Sequence, residues 1–518
     1  MKVGIISAYM DTDRKGEPNR GFLQPQVGPL IAALLPPDTS IDIVFDTWRD
    51  PDWTQDYSLL FISALHSDFD RARQISHYWR RRGAKTVIGG VFATMFPALC
   101  QPFFDAVAIG DAEGVVPKLY RDFCRGELQP IYVASAYDAE AVPVPRLDLA
   151  KDQQGMPMSF EATRGCPFAC DFCTLTGIGT RFHARPTELV VRDLKEGRQL
   201  LKGKIPAYRL PAVLFVDNNI GGNLPYLARL CEALTPLRIR FGASITFNCL
   251  LDGDIVKALA RAGCRVLFTG LESFNPAAIA DMRKHQNLLD SIRFALDQCR
   301  RHGILVMSGL MLSPSTDDWA YVQTIPAKLQ DTGLHIPNYI CLESPFPGTP
   351  YFQRLATDPR NVFLPNALLR DFNGYTLVVR PERESVDDFV GQYKWVLDAT
   401  YTKIRKARKL VEDLPQLFAS GVWESGMVDI VHQCFAGYTL PCPGRTYLAA
   451  SDVPPPECAQ VPFLPDDFDS DDEYHAVMDP SRVTDESGTV LPGWTRSTRL
   501  FERNGRISEQ ALRFVEVV

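Results

Sequence analysis

Three cysteines, Cys166, Cys170 and Cys173, are closely spaced in the segment RGCPFACDFCTLTG of residues 164–177. They form a C-x3-C-x2-C pattern directly after a strand-like FEATRG segment. A structural zinc site takes four ligands, usually from two C-x2-C pairs, and an ordinary four-iron ferredoxin cluster also takes four cysteines. Three thiolates on one tight loop therefore predict an iron–sulfur cluster with one open iron.

The other cysteines do not extend this site. The chain has 13 cysteines, an odd number spread through apparent strands and helices, so we expect reduced thiols rather than a disulfide framework. Cys434, Cys442 and Cys458 are too few for a second cubane. The remaining seven are expected to be small buried hydrophobic residues. They are Cys100, Cys124, Cys231, Cys249, Cys264, Cys299 and Cys341.

The cysteine loop stands at the start of a series of βα units. The segments AVLFVDNN, RIRFGASIT, RVLFTGLES, ILVMSGLML and HIPNYICLE read as buried strands, each of the first four followed by an amphipathic helix. With the strand before the cysteines they make six, which predicts a partial (β/α)6 barrel. Its site is expected at the carboxyl ends of the strands. Asn223 and Asn275 are expected to be helix N-caps.

The cysteine pattern, with Phe172 before the last cysteine, resembles the signature C-x3-C-x-aromatic-C of the radical S-adenosylmethionine (SAM) superfamily. The resemblance implies that the amino and carboxylate groups of SAM chelate the open iron and that the Phe172 ring lies against adenine. The strand ends resemble those of radical SAM enzymes with an amino-terminal cobalamin domain. The SAM-binding residues implied there are Asp217, Asn218, Asn219, Ser244, Glu272 and Phe346.

The amino-terminal region alternates five apolar runs, KVGIISAY, SIDIVF, LLFISAL, KTVIGG and AVAIGD, with amphipathic stretches. This rhythm predicts a doubly wound, Rossmann-like parallel sheet that binds its ligand at the carboxyl ends of the strands. Small residues cluster at those ends, where backbone can approach a large ligand closely, although each turn alone is typical of any tight βα connection.

Together these turns resemble the cobalamin-binding domain, in which an S-x-L segment and a Gly-Gly pair line the slot for the nucleotide tail. The loop from Tyr9 to Gly28 has no D-x-H-x-x-G sequence, so no histidine there ligates cobalt. His66 is either a substitute ligand or an ordinary histidine at a strand end. The cobalamin-binding residues implied are Ser63, Leu65, His66, Gly89, Gly90, Gly110 and Glu113.

The domain organisation follows from these patterns and from the proline-spaced segment at residues 140–146. A strong amphipathic pattern begins near residue 385 and is expected to continue as helices to about Phe435. The predicted regions are a cobalamin-binding domain at 1–140, a linker at 141–155, a radical SAM barrel at 156–384, and a helical and loop-rich region at 385–518 that is a possible substrate cap.

Composition excludes several classes of protein. The formal net charge is −7, which argues against a nucleic-acid-binding surface. No apolar run approaches the roughly 20 residues that span a bilayer, and the amino terminus has no signal-peptide cleavage site. We expect a cytoplasmic enzyme.

The resemblance implies a [4Fe-4S] cluster, SAM and cobalamin as cofactors, and an external electron donor such as flavodoxin or ferredoxin. It implies a methyltransferase in which a 5′-deoxyadenosyl radical abstracts hydrogen from an unactivated carbon and methylcobalamin delivers the methyl group. Two alternatives remain open: a radical SAM and cobalamin enzyme without methyl transfer, as in ring contraction or oxidative cyclisation, or a plain radical SAM enzyme or sensor with a vestigial cobalamin-like domain. The substrate is expected to be a small molecule or a natural product.

Overall fold

The computed structural model describes residues 1–10, 25–153, 157–179, 181–365, 367–419, 460–461, 497–498, 500 and 506–508. The chain forms two compact units, each discontinuous in sequence. The first comprises Met1–Gly155, Ser344–Val378 and Gly444–Val518, and the second comprises Met156–Glu343 and Val379–Pro443. Three predicted features lie outside the described residues: Cys434, Cys442 and Cys458, the helices expected beyond residue 419, and most of the loop from Tyr9 to Gly28.

The first unit is built on six strands. They are β1 (Lys2–Ser7), β2 (Ser40–Phe45), β3 (Leu59–Ser63), β4 (Lys85–Gly89), β5 (Ala106–Ile109) and β6 (Ile131–Val133). All neighbours are parallel, in the order β2-β1-β3-β4-β5-β6. The strand order reverses between β1 and β3, the position at which doubly wound sheets bind ligands. The helices between them are α1 (Val27–Leu34), α2 (Phe69–Arg81), α3 (Val91–Met95), α4 (Pro97–Cys100) and α5 (Ala112–Arg125).

The predicted parallel α/β architecture is confirmed in this unit, with one strand more than expected. The central strands are apolar over their whole length because both faces are covered: Leu59 to Ile62 in β3 are all buried. Val3, Ile5 and Phe61 belong to the core on one side of the sheet. The added strand, β6, has only three residues, and two of them are exposed, so it carries no continuous apolar signal.

The described part of the second unit contains eight strands, six of which form a second parallel sheet. Its strands are β7 (Ser159–Phe160), β8 (Thr163–Arg164), β9 (His183–Ala184), β10 (Ala212–Phe215), β11 (Arg240–Ser244), β12 (Cys264–Glu272), β13 (Leu305–Leu312) and β14 (Tyr339–Leu342). Six of them are parallel neighbours in the order β14-β13-β12-β11-β10-β7, while β8 and β9 form a separate antiparallel pair. The helices are α6 (Thr174–Gly177), α7 (Thr187–Leu201), α8 (Leu224–Leu234), α9 (Gly253–Ala262), α10 (Pro276–Asp281), α11 (Ile292–Arg301), α12 (Trp319–Val322) and α13 (Ile325–Thr332).

The six parallel strands are those expected from the apolar runs, and all eight residues of β13 are buried. Two predicted helix caps are confirmed. The Asn223 side chain accepts a hydrogen bond from the Tyr226 amide at 2.9 Å, and the Asn275 side chain accepts one from the Ala277 amide at 3.0 Å. Whether the sheet closes as a partial barrel, and where the domains meet, stays a prediction.

The remaining elements follow β14. They are α14 (Pro350–Ala356), α15 (Val386–Thr400), α16 (Lys403–Ala419), β15 (Gln460–Val461) and β16 (Ser497–Thr498). The amphipathic pattern from residue 385 forms two successive helices, α15 and α16. The Tyr401 amide still bonds to the Leu397 carbonyl at 3.0 Å, after which the Thr402 hydroxyl accepts from the Arg405 amide at 3.3 Å and starts the second helix. Among the described residues, no helix is both long enough and apolar enough to span a membrane.

Candidate active site

The three cysteines lie on one loop between β8 and α6. Cys170 is buried and Cys166 and Cys173 are half-buried. The loop is compact, because the Cys173 amide bonds to the Cys170 carbonyl at 3.1 Å and the Thr176 hydroxyl bonds to the same carbonyl at 2.9 Å. Burial raises the pKa of the Cys170 and Cys173 thiols, and the neighbouring loop cysteines raise it further. Binding of a metal cluster must therefore displace protons from these thiols.

The loop is not arranged as a site for a single ion. In the described part of the chain, no three His, Cys, Asp or Glu side chains converge as ligands of one metal ion. Thiolates on three corners of a cubane stand farther apart than three ligands of one ion, so three thiols that share one loop without converging on a single point fit a cluster better than they fit zinc.

Asp217, which follows β10, holds the chain that leads into the cysteines. Its carboxylate accepts hydrogen bonds from the Ala162 amide at 3.2 Å, from the Thr163 amide, and from the Thr163 hydroxyl at 2.6 Å. The residue is 3% exposed, and burial raises its pKa to about 7. The resemblance stated above assigned Asp217 to SAM. In the structure, its oxygens instead accept hydrogen bonds from Ala162 and from Thr163 at the start of β8.

The two asparagines after Asp217 differ. Asn219 is buried. Its side-chain oxygen accepts a hydrogen bond from the Gly221 amide at 3.1 Å, and its side-chain nitrogen donates one to Cys166 Sγ at 3.8 Å. Asn218 is exposed. Asn219 thus supports the cysteine loop, while Asn218 is free to meet a ligand.

Glu272 ends β12 in a strained conformation. Its φ is +62°, in the left-handed region that residues other than glycine rarely adopt. The pairing register with β13 also shifts between Gly270 and Glu272. Its carboxylate forms a buried ion pair with Lys284, and the Lys284 ammonium lies 5.8 Å from the centre of the Phe172 ring. The Glu272 carboxylate at this strand end is therefore already paired with Lys284.

Gln286 is a residue that sequence reasoning missed. Its side-chain amide donates to Cys170 Sγ at 3.5 Å, across 116 positions of sequence. Nothing in a glutamine five residues after a short helix signals such a contact. Ser244, at the end of β11, is half-buried.

Phe346 lies in the first unit, where its ring centre is 6.1 Å from that of His66. His66 is 2% exposed, and its Nε2 has no hydrogen-bond partner. The rings of Phe92 and Phe96 pack edge-on against it at 5.7 and 6.0 Å. Burial lowers the pKa of His66 to about 4, so it is neutral at physiological pH. This packing favours an ordinary histidine over a cobalt ligand.

The other residues assigned to cobalamin lie at the carboxyl edge of the first sheet. Ser63 and Gly89 are register partners at the ends of β3 and β4. A Cβ on Gly90, which has a φ of +93°, would lie 2.8 Å from Ser63 Oγ, and one on Gly110, with a φ of +85°, would lie 3.0 Å from the Ala134 side chain. Both positions therefore require glycine, and the backbone there carries no side chain of its own.

Two further assigned residues flank this edge. Leu65 is 55% exposed, an unusual position for leucine, and Glu113 lies in the first turn of α5. An exposed apolar side chain beside a glycine-lined edge fits a large, flat ligand with an aromatic tail.

One of the cysteines was assigned wrongly. Cys124 is exposed, because α5 presents it to solvent near its carboxyl end, whereas the other six were correctly expected to be buried. None of the ten cysteines in the described residues forms a disulfide.

Comparison with known proteins shows which family and which proteins this chain resembles. Residues 160–325 match the model of the Radical SAM superfamily. A bacteriochlorophyllide d C-12(1)-methyltransferase of Chlorobaculum tepidum is 27% identical over 308 residues, which cover 58% of this chain and 66% of that protein. This chain thus spans about two thirds of that relative's length.

Two solved structures share the fold. The radical SAM methyltransferase TsrM of Kitasatospora setae aligns with a TM-score of 0.53 at 16% identity, over 68% of this chain and 76% of that one. The cobalamin-dependent SAM radical enzyme OxsB aligns with a TM-score of 0.50 at 15% identity, over 66% of this chain and 52% of that one. The segment that carries the three cysteines therefore belongs to the radical SAM superfamily, as their spacing predicts, and the chain is similar to a radical SAM methyltransferase and to a cobalamin-dependent SAM radical enzyme.

Proposed function

We propose that this chain is a cobalamin-dependent radical SAM enzyme that transfers a methyl group to a carbon atom of a small molecule or natural product. The observation that carries the proposal is the three-cysteine loop, held by Asp217 and contacted at two of its sulfurs by side-chain amides. When bound, the cluster and SAM supply a radical by reductive cleavage, and cobalamin supplies a transferable methyl group.

In this proposal, Cys166, Cys170 and Cys173 bind three irons of a [4Fe-4S] cluster and leave the fourth to SAM. Asp217 and Asn219 position the loop, because their polar atoms are engaged with the loop and the strand before it. Both carboxylate oxygens of Asp217 accept from the Ala162 amide, which leaves little capacity for a ligand.

Contact with SAM falls to residues with accessible polar or aromatic groups: Asn218, Ser244 and Phe172. The Glu272 carboxylate, paired with Lys284, supplies a neutral polar patch rather than a free charge. The assignment of Phe346 to adenine stays a prediction.

Cobalamin is proposed to occupy the carboxyl edge of the first sheet. Gly89, Gly90 and Gly110 allow close approach of the nucleotide tail, and the exposed Leu65 provides an apolar contact. The buried His66 is not assigned to cobalt in this proposal.

The predicted domain boundaries, the role of residues 385–518 as a substrate cap, and an electron donor of the flavodoxin or ferredoxin kind are parts of the same proposal. A cytoplasmic location is supported by the free thiols of the described cysteines, since the reducing cytosol keeps thiols unpaired.

Methyl transfer is tested by anaerobic turnover with SAM that carries a deuterated methyl group. The reaction contains a low-potential reductant and candidate substrates chosen from the products of neighbouring genes. A labelled product supports methyl transfer. Formation of 5′-deoxyadenosine with an unlabelled product would replace it by radical chemistry without methylation.

The cofactors are tested separately by anaerobic reconstitution with iron, sulfide and hydroxocobalamin. The wild-type protein is expected to retain one corrin and one four-iron cluster. Cys170→Ala should lose the cluster and retain the corrin, whereas the matched control Cys124→Ala, at an exposed cysteine, should retain both. A wild-type protein that retains no corrin would contradict the cobalamin part of the proposal.

A further inference from the structure

The segment of residues 282–287, MRKHQN, follows α10 and lies beside the cysteine loop. It is fixed to the end of β12, because the Asn287 side chain donates to the carbonyls of Gly270 at 3.0 Å and Leu271 at 2.7 Å. The Lys284 amide bonds to the Ile279 carbonyl at 3.0 Å, which closes the turn after the helix. The segment is thus tied to the second unit by these three hydrogen bonds.

This segment touches the cysteine loop at several points. The Asp171 amide donates to the Met282 carbonyl at 3.1 Å, and the Asp171 carboxylate lies 3.3 Å from the Arg283 guanidinium. The third contact is made by Gln286, whose side-chain amide donates to Cys170 Sγ at 3.5 Å. The backbone hydrogen bond and the ion pair fix the spacing between the two segments, so the Gln286 amide is held in reach of the sulfur.

An amide N–H directed at a cysteine sulfur stabilises negative charge on that sulfur. Reduction of a cysteine-bound iron–sulfur cluster adds one electron and makes the cysteine sulfurs more negative, so a donor favours the reduced state. Hydrogen bonds to sulfur are among the factors that set the reduction potential of such clusters. A donor on Cys170 is therefore expected to make the cluster easier to reduce.

The neighbouring Lys284 also acts on this sulfur. Its ammonium lowers the pKa of Cys170, while the Glu272 carboxylate with which it is paired raises it, so the two charges oppose each other at the loop. The Gln286 amide is neutral and has its N–H directed at the sulfur itself.

We propose that Gln286 is a positioning residue that raises the reduction potential of the cluster bound by Cys166, Cys170 and Cys173, through its hydrogen bond to the Cys170 sulfur. This inference rests on the proposed function only in requiring the cluster. It does not depend on methyl transfer or on cobalamin. The electron comes from an external low-potential reductant, and no bond forms or breaks in the protein.

The test is a redox titration of the reconstituted protein with dithionite, without SAM, followed by electron paramagnetic resonance of the reduced cluster. Two variants remove the donor from Cys170: Gln286→Leu is nearly isosteric, and Gln286→Asn keeps an amide that is too short to reach. Gln323→Leu, at an exposed glutamine after α12, is the matched control.

Both Gln286 variants are expected to bind the same iron and sulfide as wild type and to show a midpoint potential shifted to more negative values, with the control unchanged. Midpoints equal to that of the control in both variants would overturn the inference. Failure of both variants to assemble a cluster would also overturn it, since Gln286 would then be needed for assembly. A wild-type protein without a four-iron cluster would overturn the proposed function as well, so the two failures are distinguishable.

Discussion

The Thr163 hydroxyl offers a direct test of how Asp217 holds the cysteine loop. Thr163→Val removes one donor to the buried carboxylate and changes neither the shape of the residue nor the two backbone donors. Thr163 is fully buried, so water does not replace the lost donor. We expect the strand that leads into the cysteines to open more often in this variant.

The expected size follows from the partners. A hydrogen bond to a charged group contributes about 1.5–3 kcal/mol, and one between neutral groups about 1 kcal/mol. Burial raises the pKa of Asp217 to about 7, and the Thr163 hydroxyl acts in the opposite direction because it favours the charged form. The cost of the variant should therefore be largest above pH 7, where the carboxylate is ionised, and smaller at pH 6.

Hydrogen–deuterium exchange of the apoprotein measures this locally, in the peptide that contains the Ala162 and Thr163 amides. A loss of about 1.5–3 kcal/mol corresponds to roughly ten- to a hundredfold faster exchange at pH 8, after correction for intrinsic rates. In a protein that already carries Asp217→Asn, Thr163→Val should accelerate exchange less, because the charged acceptor is absent. Exchange within about twofold of wild type at both pH values would refute the role of Asp217 described above.

Three further outcomes are expected. Lys284→Met should lower the free energy of unfolding by about 3–5 kcal/mol because it leaves the buried Glu272 carboxylate unpaired, and adding Glu272→Gln should restore most of it in chemical denaturation; no recovery would contradict the ion pair. Gly90→Val should abolish corrin retention but not cluster assembly, since its Cβ would lie 2.8 Å from Ser63 Oγ at a φ of +93°; full corrin binding would argue against the assigned edge. The pKa of His66 is lowered from 6.5 to about 4, so the unfolded chain binds the extra proton first, and up to about 3 kcal/mol of stability should be lost as pH falls from 6.5 to 4. His66→Phe should flatten that dependence in thermal unfolding, and an unchanged profile would contradict the burial.

The parts of the fold that could be predicted from sequence are those with local signals. Buried parallel strands are continuous apolar runs, so β3, β10 and β13 were recognisable, and Asn223 and Asn275 were recognisable as caps from their place before a helix. The cysteine spacing alone predicted the superfamily, and the match of residues 160–325 confirmed it.

Contacts between distant segments had no such signal. The Asp217 carboxylate meets groups 54 and 55 positions earlier, and which strand end it reaches depends on the pairing of β7 with β10. Gln286 reaches Cys170 only because α10 ends in a turn held by Asn287. These positions depend on register and tertiary packing, which residue types alone do not encode.

The interleaved layout of the first unit has a consequence for biosynthesis. Its amino-terminal portion leaves the ribosome long before residues 344–378, which contribute Phe346 beside His66. The unit is therefore complete only after the whole of the intervening sheet has been translated. A shortened gene that ends at residue 155 would encode all six strands of the first sheet but not residues 344–378, so studies of the isolated fragment need the full-length polypeptide as their reference.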